Sequence, residues 1–80
     1  MPTVLRVKGY RFFFFSLEGK EPPHIHVEQG ERYAKFWLEP VSLAHTKGFR
    51  GSELTELLRI VQDNTGSFKE TWREYFSDKI

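Results

Sequence analysis

His24-Ile25-His26-Val27-Glu28-Gln29-Gly30-Glu31-Arg32-Tyr33-Ala34-Lys35-Phe36-Trp37-Leu38-Glu39 alternates apolar and polar side chains in two runs that break at Gln29-Gly30. A period of two marks a half-buried strand, and a glycine at the break supplies the positive φ of a tight hairpin turn. The stretch therefore predicts two antiparallel strands, His24 to Glu28 and Glu31 to Glu39. Ile25 and Val27 project to one face with Ala34, Phe36 and Leu38; His24, His26 and Glu28 project to the other with Tyr33, Lys35, Trp37 and Glu39. With Gln29-Gly30 as a two-residue turn, His26 faces Tyr33 and His24 faces Lys35. A three-residue loop would slip one strand onto its other face.

Upstream, Thr3 to Val7 and Tyr10 to Ser16 are rich in β-branched and aromatic residues and are joined by Lys8-Gly9, a second two-residue turn. This register pairs Val7 with Tyr10 and Leu5 with Phe12. It also sets Arg6 opposite Arg11, a like-charge pair that calls for a nearby acid or anion. Leu17 to Pro23 reads as a loop, because Gly19 and two prolines cannot sustain a ladder. Downstream, Val41 to Phe49 is open between loop and a short fifth strand followed by loop. From Ser52 the period changes to 3.6: Leu54, Leu57, Leu58 and Val61 share one helix face, and Asn64 with Gly66 ends that helix. Ser67 with Glu70 has the spacing of a capping box, opening a second helix striped by Phe68, Trp72, Tyr75 and Phe76.

The fold expected is α+β, an antiparallel four-to-five-stranded β-meander followed by two short C-terminal helices, forming a single domain over residues 1–80. The helices form a layer over the face that carries Ile25, Val27, Ala34, Phe36 and Leu38. Phe12 to Phe15 project alternately to both faces, so this strand is either covered twice or completes its burial at an interface. Eighty residues without a cysteine bury only about 60–65% of the unfolded surface and have no disulfide to help. The core must therefore be dense or be completed by a partner, and eight phenylalanines and two tryptophans suit both. The amino terminus carries no secretory pattern and no apolar run approaches the roughly 20 residues of a membrane span, so a cytoplasmic protein without membrane contact is expected. A net charge of +1 gives no global attraction to nucleic acid, and any such binding needs a local patch.

Met1-Pro2-Thr3-Val4-Leu5-Arg6, Gly9-Tyr10-Arg11-Phe12-Phe13-Phe14, Glu21-Pro22-Pro23-His24-Ile25-His26-Val27 and Ala34-Lys35-Phe36-Trp37-Leu38 together resemble a bacterial family of unknown function, DUF4160. The resemblance spans essentially the whole chain. It implies no established activity. It does imply a genetic context, a second small gene beside this one, which suggests a toxin–antitoxin-like module and a cognate small protein as partner.

Three chemistries fit the His-x-His segment. In the first, His24 and His26 act as acid and base in metal-free RNA cleavage; Lys35, with Arg6 and Arg11, stabilises phosphate, while Tyr33 or Trp37 stacks on a base. In the second the histidines brace the loop after Pro22-Pro23, and the domain is a non-catalytic interaction module. In the third His24, His26 and Glu28 or His45 hold a metal, the Cβ atoms of the two histidines lying about 6–7 Å apart on one strand face. Walker loops, dinucleotide fingerprints, serine elbows and cysteine-based zinc motifs are lacking, so no large cofactor is expected. The expected histidine face is open to solvent. Candidate partners are the neighbouring gene product, a second copy of the chain, and RNA.

Overall fold

A computed structural model describes residues 3–14 and 21–77. Its strands are β1 (Thr3–Val7), β2 (Tyr10–Phe13), β3 (His24–Gln29), β4 (Arg32–Leu38) and β5 (Val41–Lys47). Two helices follow, α1 (Gly51–Asp63) and α2 (Thr65–Ser77). The strands form one antiparallel sheet in sequence order, β1-β2-β3-β4-β5, so the chain is a five-stranded meander with its helices after it.

The first hairpin has the expected register, Val7 opposite Tyr10, Arg6 opposite Arg11 and Leu5 opposite Phe12. Lys8 and Gly9 both have positive φ, 52° and 83°, as the mirror-image turns that suit strand twist require. The central hairpin turns one residue later than expected. Gly30, at φ 60°, and Glu31 form the turn, so Gln29 pairs with Arg32, His26 with Lys35 and His24 with Trp37. This moves every cross-strand partner by two residues, which leaves the faces unchanged. Gly30 thus stands first in its turn, where positive φ is needed, and not second.

Val41 to Lys47 forms the fifth strand, after a cis Glu39–Pro40 peptide. Its pairing changes step between Lys35 opposite His45 and Phe36 opposite Leu43, which leaves Ala44 as the extra residue of a bulge. Helix α1 begins at Gly51, ahead of the expected Ser52. Arg50 is its N-cap, and the Glu53 carboxylate accepts a hydrogen bond from the Arg50 N–H at 2.9 Å. Helix α2 likewise begins at Thr65, before the Ser67–Glu70 pair. Only Asn64 separates the helices, and its carbonyl accepts the Phe68 N–H at 2.9 Å, so the first turn of α2 is started there.

The helix layer covers the predicted face. Phe12, Phe14, Ile25, Val27, Ala34, Phe36 and Leu38 are buried with Leu57 and Val61 of α1 and Phe68 and Trp72 of α2. Phe12 stacks on Phe68 at 5.6 Å, and Phe14 meets Trp72 edge-on at 5.2 Å. Phe13, on the opposite face, is also buried, so the exposed aromatic patch expected of this strand is not found at Phe12, Phe13 or Phe14; Phe15 lies outside the described residues.

One contact between sheet and helix titrates. The buried Tyr10 hydroxyl donates to Glu56 of α1 at 3.0 Å, beside Lys8. Burial first, and then the Glu56 carboxylate, raise the Tyr10 pKa above 10.0. Hydrogen bonds from Lys8 and Tyr10 lower that of Glu56 below 4.5. Stability from Glu56 is present above its unfolded pKa and is lost as pH falls through the depressed folded one; stability from Tyr10 is lost as pH rises through the raised one. Thermal melts across the pH range are expected to show both limbs, and Tyr10→Phe should remove the alkaline limb that Tyr10 contributes. An unchanged alkaline limb would refute that assignment.

Candidate nucleic-acid interface

The face turned away from the helix layer is built by strand alternation, and cross-strand pairing orders it into rows. Arg6, Arg11, Glu28, Tyr33 and Lys47 are successive partners across all five strands. Phe13, His26, Lys35 and His45 form the next row. His24, Trp37 and Ser42 form the third. The sheet thus brings together every residue singled out for the site: Arg6, Arg11, His24, His26, Tyr33, Lys35 and Trp37.

It does not leave the histidines open. His24 is 0% exposed and His26 2% exposed, which corrects the expectation of solvent-facing imidazoles. The cause is the aromatic content of the same face. Phe13 stacks on the His26 ring at 5.4 Å and 25°, with Tyr33 on another side at 5.8 Å. His26 Nδ1 is hydrogen-bonded to the Tyr33 hydroxyl at 2.7 Å. The His24 ring is enclosed by His26 at 4.9 Å, Trp37 at 5.6 Å and Trp72 of α2 at 4.8 Å. Helix α2 therefore reaches the histidines at the end of the sheet, where alternation alone predicts it absent.

His24 also ties down the proline turn. Its Nδ1 lies 2.9 Å from the Pro22 carbonyl, which can only accept, so the proton is on Nδ1 in that bond. The Pro23 carbonyl in turn accepts the Leu38 N–H at 3.0 Å. Pro22 and Pro23 cannot donate to a ladder, so their carbonyls are what the neighbouring elements hold.

The remaining side chains form the accessible layer. Arg11 donates to Glu28 at 2.6 Å and to Thr3 at 2.9 Å, and its guanidinium lies over Phe13 at 4.5 Å. The acid demanded by the Arg6–Arg11 pair is thus Glu28. Lys35 lies over the Trp37 ring at 4.6 Å and donates to Glu21 at 3.0 Å. Arg6 and Lys47, at the two edges of the row, are exposed and enter no ion pair among the described residues. Tyr33 and Trp37 are half-buried on one strand, with Lys35 between them. The face therefore offers two aromatic rings framed by cations.

The candidate metal ligands are not gathered. Glu28 is engaged by Arg11, and His45 stands on β5 against Tyr33, with ring centres 6.0 Å apart. Among the described residues no three His, Asp or Glu side chains are grouped so as to hold a metal ion. Residue reasoning missed Phe13 as the ring that seals His26, and Lys47 as a cation of this face. The first could have been found from the Phe12–Phe13 alternation. The second could not, because the bulge at Ala44 sets the phase of β5.

Among the described residues no helix is long and apolar enough to cross a membrane. A five-stranded antiparallel meander followed by two helices that cover one of its faces defines a small α+β domain. The chain belongs to the family described as Domain of unknown function (DUF4160), whose model matches residues 9–73. No curated protein and no solved structure matches it.

Proposed function

We propose that this domain is a cytoplasmic binding component of a two-gene bacterial module, and that the sheet face opposite its helix layer takes single-stranded RNA without cleaving it. The observation that supports this reading is the pair of half-buried rings, Tyr33 and Trp37, among Arg6, Arg11, Lys35 and Lys47. Aromatic platforms framed by cations suit single strands, since every base has a π-face and every step a phosphate. Lys35 now occupies the Trp37 face. A base stacking there would take its place and leave the ammonium beside the adjoining phosphate.

Burial of His24 and His26 favours binding over catalysis: an imidazole that must take a 2′-hydroxyl proton has to lie within about 3 Å of it, and these two are covered by other rings. Their role is to brace the face and the proline turn. The absence of cysteine is in keeping with the cytoplasm.

The test is fluorescence anisotropy with a labelled ten-nucleotide oligouridine at two salt concentrations. Affinity should fall as salt rises, and Arg6→Gln with Lys47→Gln should lower both the affinity and the salt slope. Trp37→Ala should weaken binding by about tenfold or more, the scale of one lost stacking contact at ~1–3 kcal/mol. Absence of binding at low salt removes the proposal. Cleavage of the oligonucleotide by the wild type, lost in a folded His26→Gln variant, would restore the catalytic reading.

A further inference from the structure

The outer edge of β5 is a second surface, which shares Lys47 with the face proposed for RNA and otherwise rests on different residues, the edge itself and Leu43. β5 is an edge strand: one side of its backbone pairs with β4, and among the described residues no strand lies on the other. Between this edge and α1 runs an apolar groove of about 390 Å³, lined chiefly by Phe36, Val41, Leu43, Leu54 and Leu58. Leu43, 42% exposed, is the large hydrophobic side chain that stands out of the described surface here.

The bulge at Ala44 gives this edge a polarity. Two residues apart on a regular strand, Leu43 and His45 would share a face. The extra residue puts Leu43 opposite Phe36, on the helix side, and His45 opposite Lys35, on the other side. The first half of the edge thus presents Val41 and Leu43 to the groove. The second half presents His45 and Lys47 to the opposite face, and neither β5 nor the Gly48-Phe49-Arg50 stretch after it contains an acid.

We infer that β5 receives an extended segment of a protein partner as a sixth strand. Its chemistry is set by the edge: apolar side chains where it passes Val41 and Leu43, acidic ones where it passes His45 and Lys47. Main-chain bonds to the edge supply affinity, and the groove and Lys47 fix which segment is taken and in which direction. Run antiparallel to β5, such a segment is acidic in its first half and apolar in its second. The bulge, which bends an edge away from indiscriminate pairing, keeps the surface from accepting a strand of uniform pattern.

The probe is a synthetic heptapeptide with glutamates in its first half and leucines in its second, titrated into isotope-labelled full-length protein. Amide shifts should concentrate on residues 41–47, and methylating alternate peptide nitrogens should weaken binding at least tenfold. Leu43→Glu, at an exposed position that leaves the core intact, should weaken it by a similar factor. Lys47→Glu should weaken the acidic peptide and improve a lysine-substituted one, an exchange that a merely structural effect does not produce. Shifts centred on Tyr33 and Trp37, equal binding of the methylated peptide, or occupation of the edge by a second copy of the chain would each overturn the assignment.

Discussion

Replacing His26 with alanine is expected to destabilise the domain by about 2–4 kcal/mol, the range for emptying a buried site of this size. Its ring is covered by Phe13, Tyr33 and His24, so its removal leaves a cavity under three aromatic groups. The hydrogen bond to Tyr33 is the smaller part. Tyr33→Phe, which removes the hydroxyl and keeps the packing, should cost about 1–3 kcal/mol, because it takes this partner from the buried His26 Nδ1. His24→Ala belongs to the larger class, since Trp37 and Trp72 lose a partner along with the Pro22 carbonyl. Urea denaturation of the three variants separates packing from hydrogen bonding. A cost under 1 kcal/mol for His26→Ala would mean that the imidazole is dispensable to the fold, and would return it to the surface chemistry.

The alternation of the sequence alone predicts an open histidine face, and the cause of the difference is specific. Alternation told correctly which residues share the histidine face. It carried no information on what lies above that face. Phe13 is one residue from Phe12 and therefore points away from the helices, onto the face of His26. Trp72 could not be placed against His24 from its helical spacing, because that contact depends on where α2 ends up at the rim of the sheet.

The first hairpin was legible from its turn out to Leu5 and Phe12 because Lys8-Gly9 admits one turn, whereas the irregularity that sets Thr3 opposite Phe13 has no signal in the alternation. The central one was misplaced by one residue at the turn, since Gln29-Gly30 and Gly30-Glu31 both put a glycine in a two-residue loop, and only the second puts it where φ 60° is required. β5 was half legible for a different reason. Its apolar residues, Val41 and Leu43, alternate regularly up to the bulge and then the phase changes, so period-two reasoning sees a strand that ends. Both helices were found from their apolar stripes, while their starts were not. Arg50 is not a capping residue by type, and Asn64 serves the end of α1 and the start of α2 at once, a sharing that no local motif encodes.

The largest effect on stability is expected at Phe12. This side chain lies at 0% exposure in the second strand and stacks on Phe68, 56 residues later in the chain, at 5.6 Å and 30°. Phe12→Ala should cost about 3–5 kcal/mol. For a chain of 80 residues the total stability is of the order of 4–12 kcal/mol, so that variant can lose most of it. Phe12→Leu and Phe68→Leu are the milder probes. In a double-mutant cycle they should show a coupling of about 0.5–1.5 kcal/mol, the excess that a ring pair carries beyond its buried area. The sheet is apolar on the face that α1 and α2 cover, and the helices are apolar only where they meet the sheet, so neither layer retains a core without the other. Circular dichroism of the helices and tryptophan fluorescence, whose signal includes Trp37 on the sheet, should therefore follow one transition in every variant. Two separated transitions, with the helical signal lost first, would show that the meander stands without its helices and that the Phe12–Phe68 contact does not join the layers.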